Sequence, residues 1–300
     1  ESISTNSYLV QDPILQPDGE IEEVFAYNGN AWRGQLRDLS ATYLLEKLGM
    51  KVDLDAFHLL FSGGKIGGDQ SIDIAKAKLM RKVVPHISIF GGGIGTQIMQ
   101  GKLKVGSSYP LCVEALPVLH NQYHQQAKNI SYADLTTEKS FTRFDDSKNF
   151  DLHDKVSLAD QPLLETKSKK KDGDVSTQMR MTSELLIAGV TLAHEIDLVS
   201  VDDIELGAFV SALVQFAQVP YIGGQSNKGH GRVDYVAQIV NTKTGEVQEL
   251  FKMDGDIPKL SDVAQQAKDA YDDHLMKIYN AFLEQKESEI RGLLGVSECG

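Results

Sequence analysis

Apolar positions recur along the chain with two periods. In residues 33–48, Leu36, Leu39, Tyr43, Leu44 and Leu48 fall near one face of a 3.6-residue repeat, which predicts a helix, and Gly49 just beyond is a helix stop. Residues 70–83 predict a second helix, with a basic face of Lys76, Lys78, Arg81 and Lys82. Residues 202–217 predict a third, with Leu206, Val210, Leu213, Val214 and Ala217 inward. Asp202 and Asp203 suit its positive N-terminal end. Residues 261–291 predict an amphipathic terminal helix with Tyr271, Leu275, Ile278 and Phe282 inward. Strands are predicted at 86–90, opened by Pro85, at 109–118, and at 184–198 with a bulge at Gly189. Residues 231–240 and 247–252 predict a hairpin around Thr244-Gly245.

These elements mix without strict βαβ alternation, so the expected class is α+β. There is no internal repeat. The weakly patterned stretch is 121–180, which holds Phe144-Asp145-Asp146-Ser147-Lys148 and Lys167-Ser168-Lys169-Lys170-Lys171-Asp172-Gly173. Such a stretch inside a domain is a projecting hairpin or a functional loop. Residues 1–27 carry no clear strand and no secretory segment follows Glu1.

Composition narrows the class. Three hundred residues with 41% hydrophobic and 24% charged side chains describe a globular chain with a sizeable core. The longest uninterrupted apolar run, 185–193, has nine residues, against about twenty for a membrane span. Two cysteines, Cys112 and Cys299, are too few for a disulfide scaffold or a four-cysteine zinc site and fit a reducing cytosol. The net charge of −12 is uneven. Residues 1–150 carry 15 basic and 17 acidic side chains, and residues 151–300 carry 15 and 25. Residues 28–104 reverse the sign, with 11 basic against 6 acidic. An acidic chain still binds a polyanion where its basic groups converge, although its overall sign argues against indiscriminate binding.

Two segments could meet phosphate. Gly29-Asn30-Ala31-Trp32-Arg33-Gly34-Gln35-Leu36-Arg37 is a Gly-containing loop leading into a helix, and Arg33 and Arg37 lie four apart on one face. The plainer reading is a junction with two surface arginines. Gly223-Gly224-Gln225-Ser226-Asn227-Lys228-Gly229-His230-Gly231-Arg232 has four glycines that let backbone approach a ligand, two cations and no acid. His230 could stack on a base. The plainer reading is a flexible turn between strands.

Familiar catalytic patterns fail. In Phe90-Gly91-Gly92-Gly93-Ile94-Gly95, expected between a strand and a short helix, Thr96 stands where a dinucleotide fingerprint needs its last Gly. Gly63-Gly64-Lys65-Ile66 lacks the upstream Gly and the Ser/Thr of a phosphate loop. His194-Glu195 lacks a second His at Leu198, and His120 and His124 have no third ligand nearby. Neither cysteine has a nucleophile-like context. No catalytic residue, cofactor or metal site is expected.

Taken together these segments resemble the RAMP superfamily of CRISPR systems, in particular its Cas-seven-like backbone subunits, and most closely the type IV version. The resemblance rests on Gly29 to Arg37, on Phe57-His58-Leu59-Leu60-Phe61-Ser62-Gly63-Gly64, on Phe90-Gly91-Gly92, and on Pro220 to Arg232. It spans about residues 28–116 and 180–240. It implies one domain with an RRM-like (ferredoxin-like) palm, inserted finger helices and a thumb hairpin. Palm and fingers would occupy roughly 28–120 and 180–252, the thumb roughly 121–180, with 261–291 as a C-terminal helix. Copies would stack head to tail along a CRISPR RNA and leave short segments free to pair with target DNA, beside other effector subunits and a helicase, in the prokaryotic cytoplasm. RNA contacts would come from Asn30, Trp32, Arg33, Gly34, Arg37, Gly223, Gly224, Gln225, Ser226, Lys228, His230 and Arg232. Lys169, Lys170, Lys171, Met179, Arg180 and Met181 would belong to the thumb, an apolar Met wedging between bases.

The resemblance implies a scaffold without enzymatic activity. One rival is a type III-like backbone subunit that cleaves target RNA with an early acid, for which Asp12, Asp18, Glu20, Glu22 and Glu23 stand as candidates. These are scattered through a segment with Pro13 and Pro17 that reads as a solvated loop. A second rival is a small-molecule phosphate-binding enzyme using the Gly-rich loops.

Overall fold

The computed structural model of the chain describes residues 6–64, 74–94, 97–143, 179–255 and 257–283. They fall into two units, Glu1–Ala26 with Tyr109–Ala193, and Tyr27–Ser108 with His194–Gly300. From the N-terminus, strands β1 (Asn6–Ser7), β2 (Gln11–Leu15) and β3 (Ile21–Phe25) precede helices α1 (Gly29–Leu48), α2 (Leu54–Ser62), α3 (Ile74–Val83) and α4 (Pro85–Phe90). Short strands β4 (Gly92–Ile94), β5 (Gln97–Met99), β6 (Leu103–Val105) and β7 (Tyr109–Pro110) lead to helix α5 (His124–Ala127) and strand β8 (Thr136–Arg143). Next come β9 (Met179–Leu186), β10 (Leu192–Ala193), β11 (Ile196–Leu198), α6 (Asp203–Gln218), β12 (Val236–Val240), β13 (Val247–Asp254), β14 (Ile257–Leu260) and α7 (Asp262–Leu283). Among the described residues every sheet has two or three strands, and with the helices they make an α+β fold.

In the unit containing Tyr27–Ser108, local signals fix the long helices. The Asn28 side chain accepts the Asn30 N–H at the start of α1, and Gly49 ends it at φ 58°. Asp202 and Glu205 form a reciprocal capping box at the start of α6. Leu44, Leu60, Met80, Ile87, Tyr271 and Leu275 share one apolar cluster. Leu36, Ile89, Phe90, Phe209, Leu213 and Phe251 share another. Each fully buried Leu, Ile or Phe contributes about 2 kcal/mol relative to exposure. Gly207 sets the approach of α6 to α7, because a Cβ there would lie 2.1 Å from the Ala267 carbonyl oxygen.

One buried carboxylate is fully engaged. Glu205 accepts from Ser88 Oγ at 2.6 Å and from Lys102 Nζ at 2.6 and 2.7 Å, while Lys102 also donates to the Ser200 carbonyl. These bonds outweigh burial and hold its pKa below the ordinary carboxylate value.

In the other unit β8 and β9 pair antiparallel from Thr136↔Leu186 to Arg143↔Met179, and β1 joins β9 in parallel. Ile14, Val24, Leu111, Cys112, Leu119 and Leu135 form its core. The Glu114 carboxylate accepts from Ser131 Oγ at 2.9 Å and the Tyr132 N–H at 2.8 Å. Burial pushes the Cys112 thiol up to about 12, so it packs as a neutral side chain.

Several expectations are corrected. Residues 86–90 are helical, not extended. All six residues of α4 are buried, and a fully buried segment shows neither period, while Pro85 suits the first helical turn. The strand expected over 109–118 stops at Pro110, and Val113–Val118 is a 3-10 helix containing Pro117. The strand expected over 184–198 is three strands. Gly189, at φ 90°, lies between β9 and β10 in a turn and not in a bulge. The early segment is not a solvated loop. β2 and β3 form a hairpin in which Pro13 pairs with Glu23, which a two-stranded ribbon tolerates. The hairpin over 231–252 exists and gains a third strand, β14. Residues 70–73 and 284–291 of the predicted helices lie outside the described residues, as do 144–178 and Cys299.

Gly207→Ala is expected to lower stability by about 1–3 kcal/mol through overpacking at the α6–α7 crossing. Gly34→Ala, whose Cβ meets nothing within 4 Å, is expected to raise stability by about 0.5–1 kcal/mol through helix propensity. Urea midpoints at constant m-value measure both.

Candidate nucleic-acid interface

Helix α1 begins in a tight place. A Cβ on Gly29 would lie 2.3 Å from the Val105 carbonyl oxygen, so only glycine lets α1 start against β6. Tyr27 and Ser108 exchange backbone hydrogen bonds of 2.9 and 3.0 Å beside it. One turn on, the Trp32 indole N–H donates to Ser108 Oγ at 2.6 Å. Its ring stacks on His194 at 4.6 Å and meets Tyr27 edge-on at 5.3 Å. Trp32 is 3% exposed. Its surfaces are spent on the core, not on the exposed face of α1.

The two arginines of the helix face divide their roles. Arg37 is 8% exposed. Its Nη2 donates to the carbonyl oxygens of Phe90, at 2.5 Å, and Gly91, at 3.3 Å, at the C-terminal end of α4. Its guanidinium also lies 5.9 Å from the Phe90 ring centroid. Gly63 makes room for it, since a Cβ there would sit 2.5 Å from Arg37 Nη1. Burial, with the Arg33 charge adding, lowers the Arg37 pKa from its ordinary value, but a guanidinium stays protonated. Arg37 is therefore a buried tie between helix ends. Arg33 is half-buried, its Nη2 donates to the same Phe90 oxygen at 2.5 Å, and its Nε has no partner. That carbonyl keeps the Arg37 bond if Arg33 leaves, so Arg33 can be diverted to a ligand at small cost.

Behind them His86 is fully buried. Its Nε2 is 2.9 Å from the Leu60 carbonyl oxygen and its Nδ1 is 2.9 Å from Ser40 Oγ. A carbonyl only accepts, so Nε2 carries the proton and Nδ1 accepts from the hydroxyl. Burial, with the Arg37 charge in support, lowers its pKa to about 4.

The Gly-rich loop is closed at its base. Tyr221 and Arg232 form an antiparallel bridge, Ile222 N–H donates to Gly231 O at 2.9 Å, and Val233 N–H donates to Pro220 O at 2.9 Å. Gly231 is required there, at φ 83° and with a Cβ that would lie 2.0 Å from the Ile222 oxygen. Gly223, Gly224 and Gly229 face open space. Ser226–Lys228 makes a single 3-10 turn. Ser226, Asn227, Lys228 and Arg232 are exposed, while Gln225 and His230 are half-buried.

The two sequence segments meet. Gln35 Nε2 donates to the Tyr221 carbonyl at 2.8 Å. The Gly223 backbone hydrogen-bonds the Tyr27 hydroxyl, whose pKa burial raises. The first turns of α1, with exposed Asn30 and Gly34 and half-buried Arg33, therefore adjoin the base of the loop that carries Lys228 and Arg232. Neither Tyr27 nor the role of Gln35 was singled out in the sequence, because their partners are backbone groups far along the chain.

Other candidates resolve differently. Gly91 caps helix α4, and Gly92 and Gly93 open strand β4, antiparallel to β5, so the stretch follows a helix instead of a strand. Its glycines serve close packing: Gly93 N–H donates to Gly63 O at 2.7 Å, and a Cβ on Gly64 would lie 2.3 Å from Gly93 O. His120 Nδ1 accepts the Gln122 N–H, and His124 Nε2 donates to Leu119 O. Asp12 accepts from Tyr109 Oη at 2.9 Å, Asp18 accepts the Glu20 N–H, and Glu22 and Glu23 are exposed on β3. Among the described residues no three His, Cys, Asp or Glu converge as metal ligands. No helix there is long and apolar enough to cross a membrane. Met181, half-buried, pairs with Phe141 across β8–β9, and the backbones of Met179 and Arg180 continue that ladder. Lys169, Lys170 and Lys171 lie outside the described residues.

No family model and no curated protein matches the sequence. Among solved structures the chain is similar to a chain of a Type IV-B CRISPR complex, with a TM-score of 0.52 and 21% identity over 76% of this chain and 78% of that one. The crystal structure of Thermofilum pendens Csc2 aligns with a TM-score of 0.32 and 12% identity over 95% of this chain and 72% of that one. The chain shares the fold of the Type IV-B complex subunit.

Arg37→Ala is expected to cost about 1–3 kcal/mol, because it empties a buried site and takes the donor from the Gly91 carbonyl while Arg33 keeps the Phe90 oxygen, and Arg33→Ala less than about 0.5 kcal/mol; urea unfolding separates them. His86 has a depressed folded-state pKa, so the unfolded chain takes up its proton first as pH falls. The stability contributed by the neutral His86 is complete above about pH 6.5 and is lost as pH falls toward 4. His86→Gln is expected to flatten that decline in urea midpoints measured across the window.

Proposed function

We propose that the chain is a guide-RNA-binding backbone subunit of a type IV CRISPR effector, which assembles in copies along a CRISPR RNA and presents it for pairing with target DNA. The observation that carries this reading is the junction of α1 with the Gly-rich loop, where Gln35 reaches the Tyr221 carbonyl. It brings α1, which carries Arg33, against the base of the loop that carries Lys228 and Arg232, joining two segments 186 residues apart. The shared fold with a Type IV-B CRISPR complex chain supports the same reading. Under it Arg33, Lys228 and Arg232 meet phosphates, Asn30 and Gly34 let the strand approach, and His230 lies within the same loop. The RRM-like palm would be built around α1 and α6, and β8 and β9 would be the arms of the thumb.

In this reading the protein is a scaffold. Cleavage or unwinding of the target belongs to other subunits, a helicase among them, in a prokaryotic cytoplasm. The early acids support it, because Asp12 is tied to Tyr109 and Glu22 and Glu23 point from an exposed strand. Phosphodiester cleavage asks instead for clustered carboxylates around metal ions or for a base beside the attacking group.

The test is binding of a single-stranded CRISPR RNA across a salt series. The wild-type chain is expected to bind and to grow in mass along the RNA. Arg33→Ala, Lys228→Ala and Arg232→Ala should each reduce the salt slope by about 0.7, one phosphate contact on a single strand. Unchanged slopes in all three would remove the interface. With Mg²⁺ or Mn²⁺ the assembled complex is expected to leave matched RNA and DNA intact. Regularly spaced cuts abolished by replacing one of Asp12, Asp18, Glu20, Glu22 or Glu23 would establish the cleaving alternative.

A further inference from the structure

The Gly-rich loop has a mechanical problem. Gly223, Gly224 and Gly229 meet open space and carry no side chain to pack, and glycine loses more conformational freedom on ordering than other residues. A loop that wanders cannot keep its cations in register with Arg33 on α1. Three hydrogen bonds address the leg of the loop that leaves Pro220. Gly223 hydrogen-bonds through its backbone to the Tyr27 hydroxyl. Tyr27 Oη donates to Gln35 Oε1 at 3.5 Å. Gln35 Nε2 donates to Tyr221 O at 2.8 Å. Because a carbonyl accepts only, the Gln35 amide has one orientation, and it leaves Oε1 facing Tyr27.

Tyr27 is a firm post for this arrangement. Its backbone is paired both ways with Ser108, and its ring is set edge-on against the buried Trp32 at 5.3 Å. Gln35 is equally fixed, in the second turn of α1 and two residues after Arg33. The clamp thus refers residues 221–223 to the same helix that carries Arg33.

We propose that Tyr27 and Gln35 are positioning residues that hold the Gly-rich loop at a set orientation to α1, so that Lys228 and Arg232 engage the same RNA strand as Arg33. The proposal rests on the RNA-binding reading above. Neither residue touches the RNA in it; each acts through Tyr221 and Gly223.

Two substitutions test it. Tyr27→Phe keeps the ring against Trp32 and removes both hydroxyl bonds, and Gln35→Met keeps the length and removes the amide. The first readout needs no RNA. Hydrogen exchange of the Gly223 amide and its loop neighbours in the free protein should accelerate about fivefold or more in both variants, the loss expected for one hydrogen bond. The second readout is affinity for a 30-nucleotide single-stranded RNA, expected to weaken about fivefold with the thermal midpoint unmoved. The third is coupling. Tyr27→Phe should be non-additive with Lys228→Ala and Arg232→Ala, and additive with Arg33→Ala, because only the loop contacts depend on the clamp. A general loss of stability does not distinguish loop from helix. Unchanged Gly223 exchange in both variants means no clamp and overturns the proposal. Faster exchange with unchanged RNA affinity, or equal additivity with all three cations, shows a clamp that positions nothing and overturns it as well. If the wild-type chain binds no RNA, the reading of function falls and the positioning role with it, while exchange at Gly223 still decides whether the clamp exists.

Discussion

The unit that contains α1 is organised around a cation placed where a globular interior rarely accepts one. Arg37 projects from the middle of α1 and sits almost out of solvent between two helix ends, with its donors on the last carbonyls of α4 and its guanidinium against the glycine that ends α2. A buried charge is costly unless it is fully hydrogen-bonded. Here the acceptors are carbonyls that a helix end leaves without partners, so one side chain satisfies two needs. Replacing it with an apolar residue of similar size would leave the Phe90 carbonyl to Arg33 alone and take the side-chain donor from Gly91. The short helix α4, buried at every residue, depends on that tie, and so does the Gly63-to-Gly93 backbone contact beside it.

That constraint also explains the division between the two arginines. From spacing alone Arg33 and Arg37 are equivalent, one turn apart on a common face. Burial breaks the equivalence. The inner one is committed to structure, and the outer one duplicates a bond that the inner one already makes. Duplication leaves the outer cation free to serve another acceptor, and the Gly-rich loop lies where such an acceptor would be shared.

Long helices were legible in the sequence because their signals are local. Leu36, Tyr43, Leu44 and Leu48 mark the buried stripe of α1, and the adjacent acids Asp202 and Asp203 mark the start of α6. The hairpin over 231–252 was legible for the same reason. Segment 86–90 was not, because alternating Ile and Ser residues read as a strand when every position is buried. The β2–β3 hairpin hid behind Pro13, and its core residues, Ile14 and Val24, are only two. At the candidate interface the glycines and cations of 223–232 were visible. The burial of Trp32 and Arg37 was not, since their partners, Ser108 and the Phe90 carbonyl, are 76 and 53 residues away. Tyr27 and Gln35 escaped notice because a neutral side chain that meets backbone leaves no motif.

The ladder between β8 and β9 runs in register to its last pair, Arg143 with Met179. Directly paired residues of an antiparallel ladder stand about 5 Å apart at Cα. Whatever chain joins them is therefore anchored at both ends by the same eight-residue arms. The free energy of closing such a segment grows only with the logarithm of its length, by about 0.6 kcal/mol per doubling. A change in the length of the connection therefore costs little beside the eight-residue ladder that fixes its two ends. Grafting a foreign peptide between Arg143 and Met179 would keep both ends in that register.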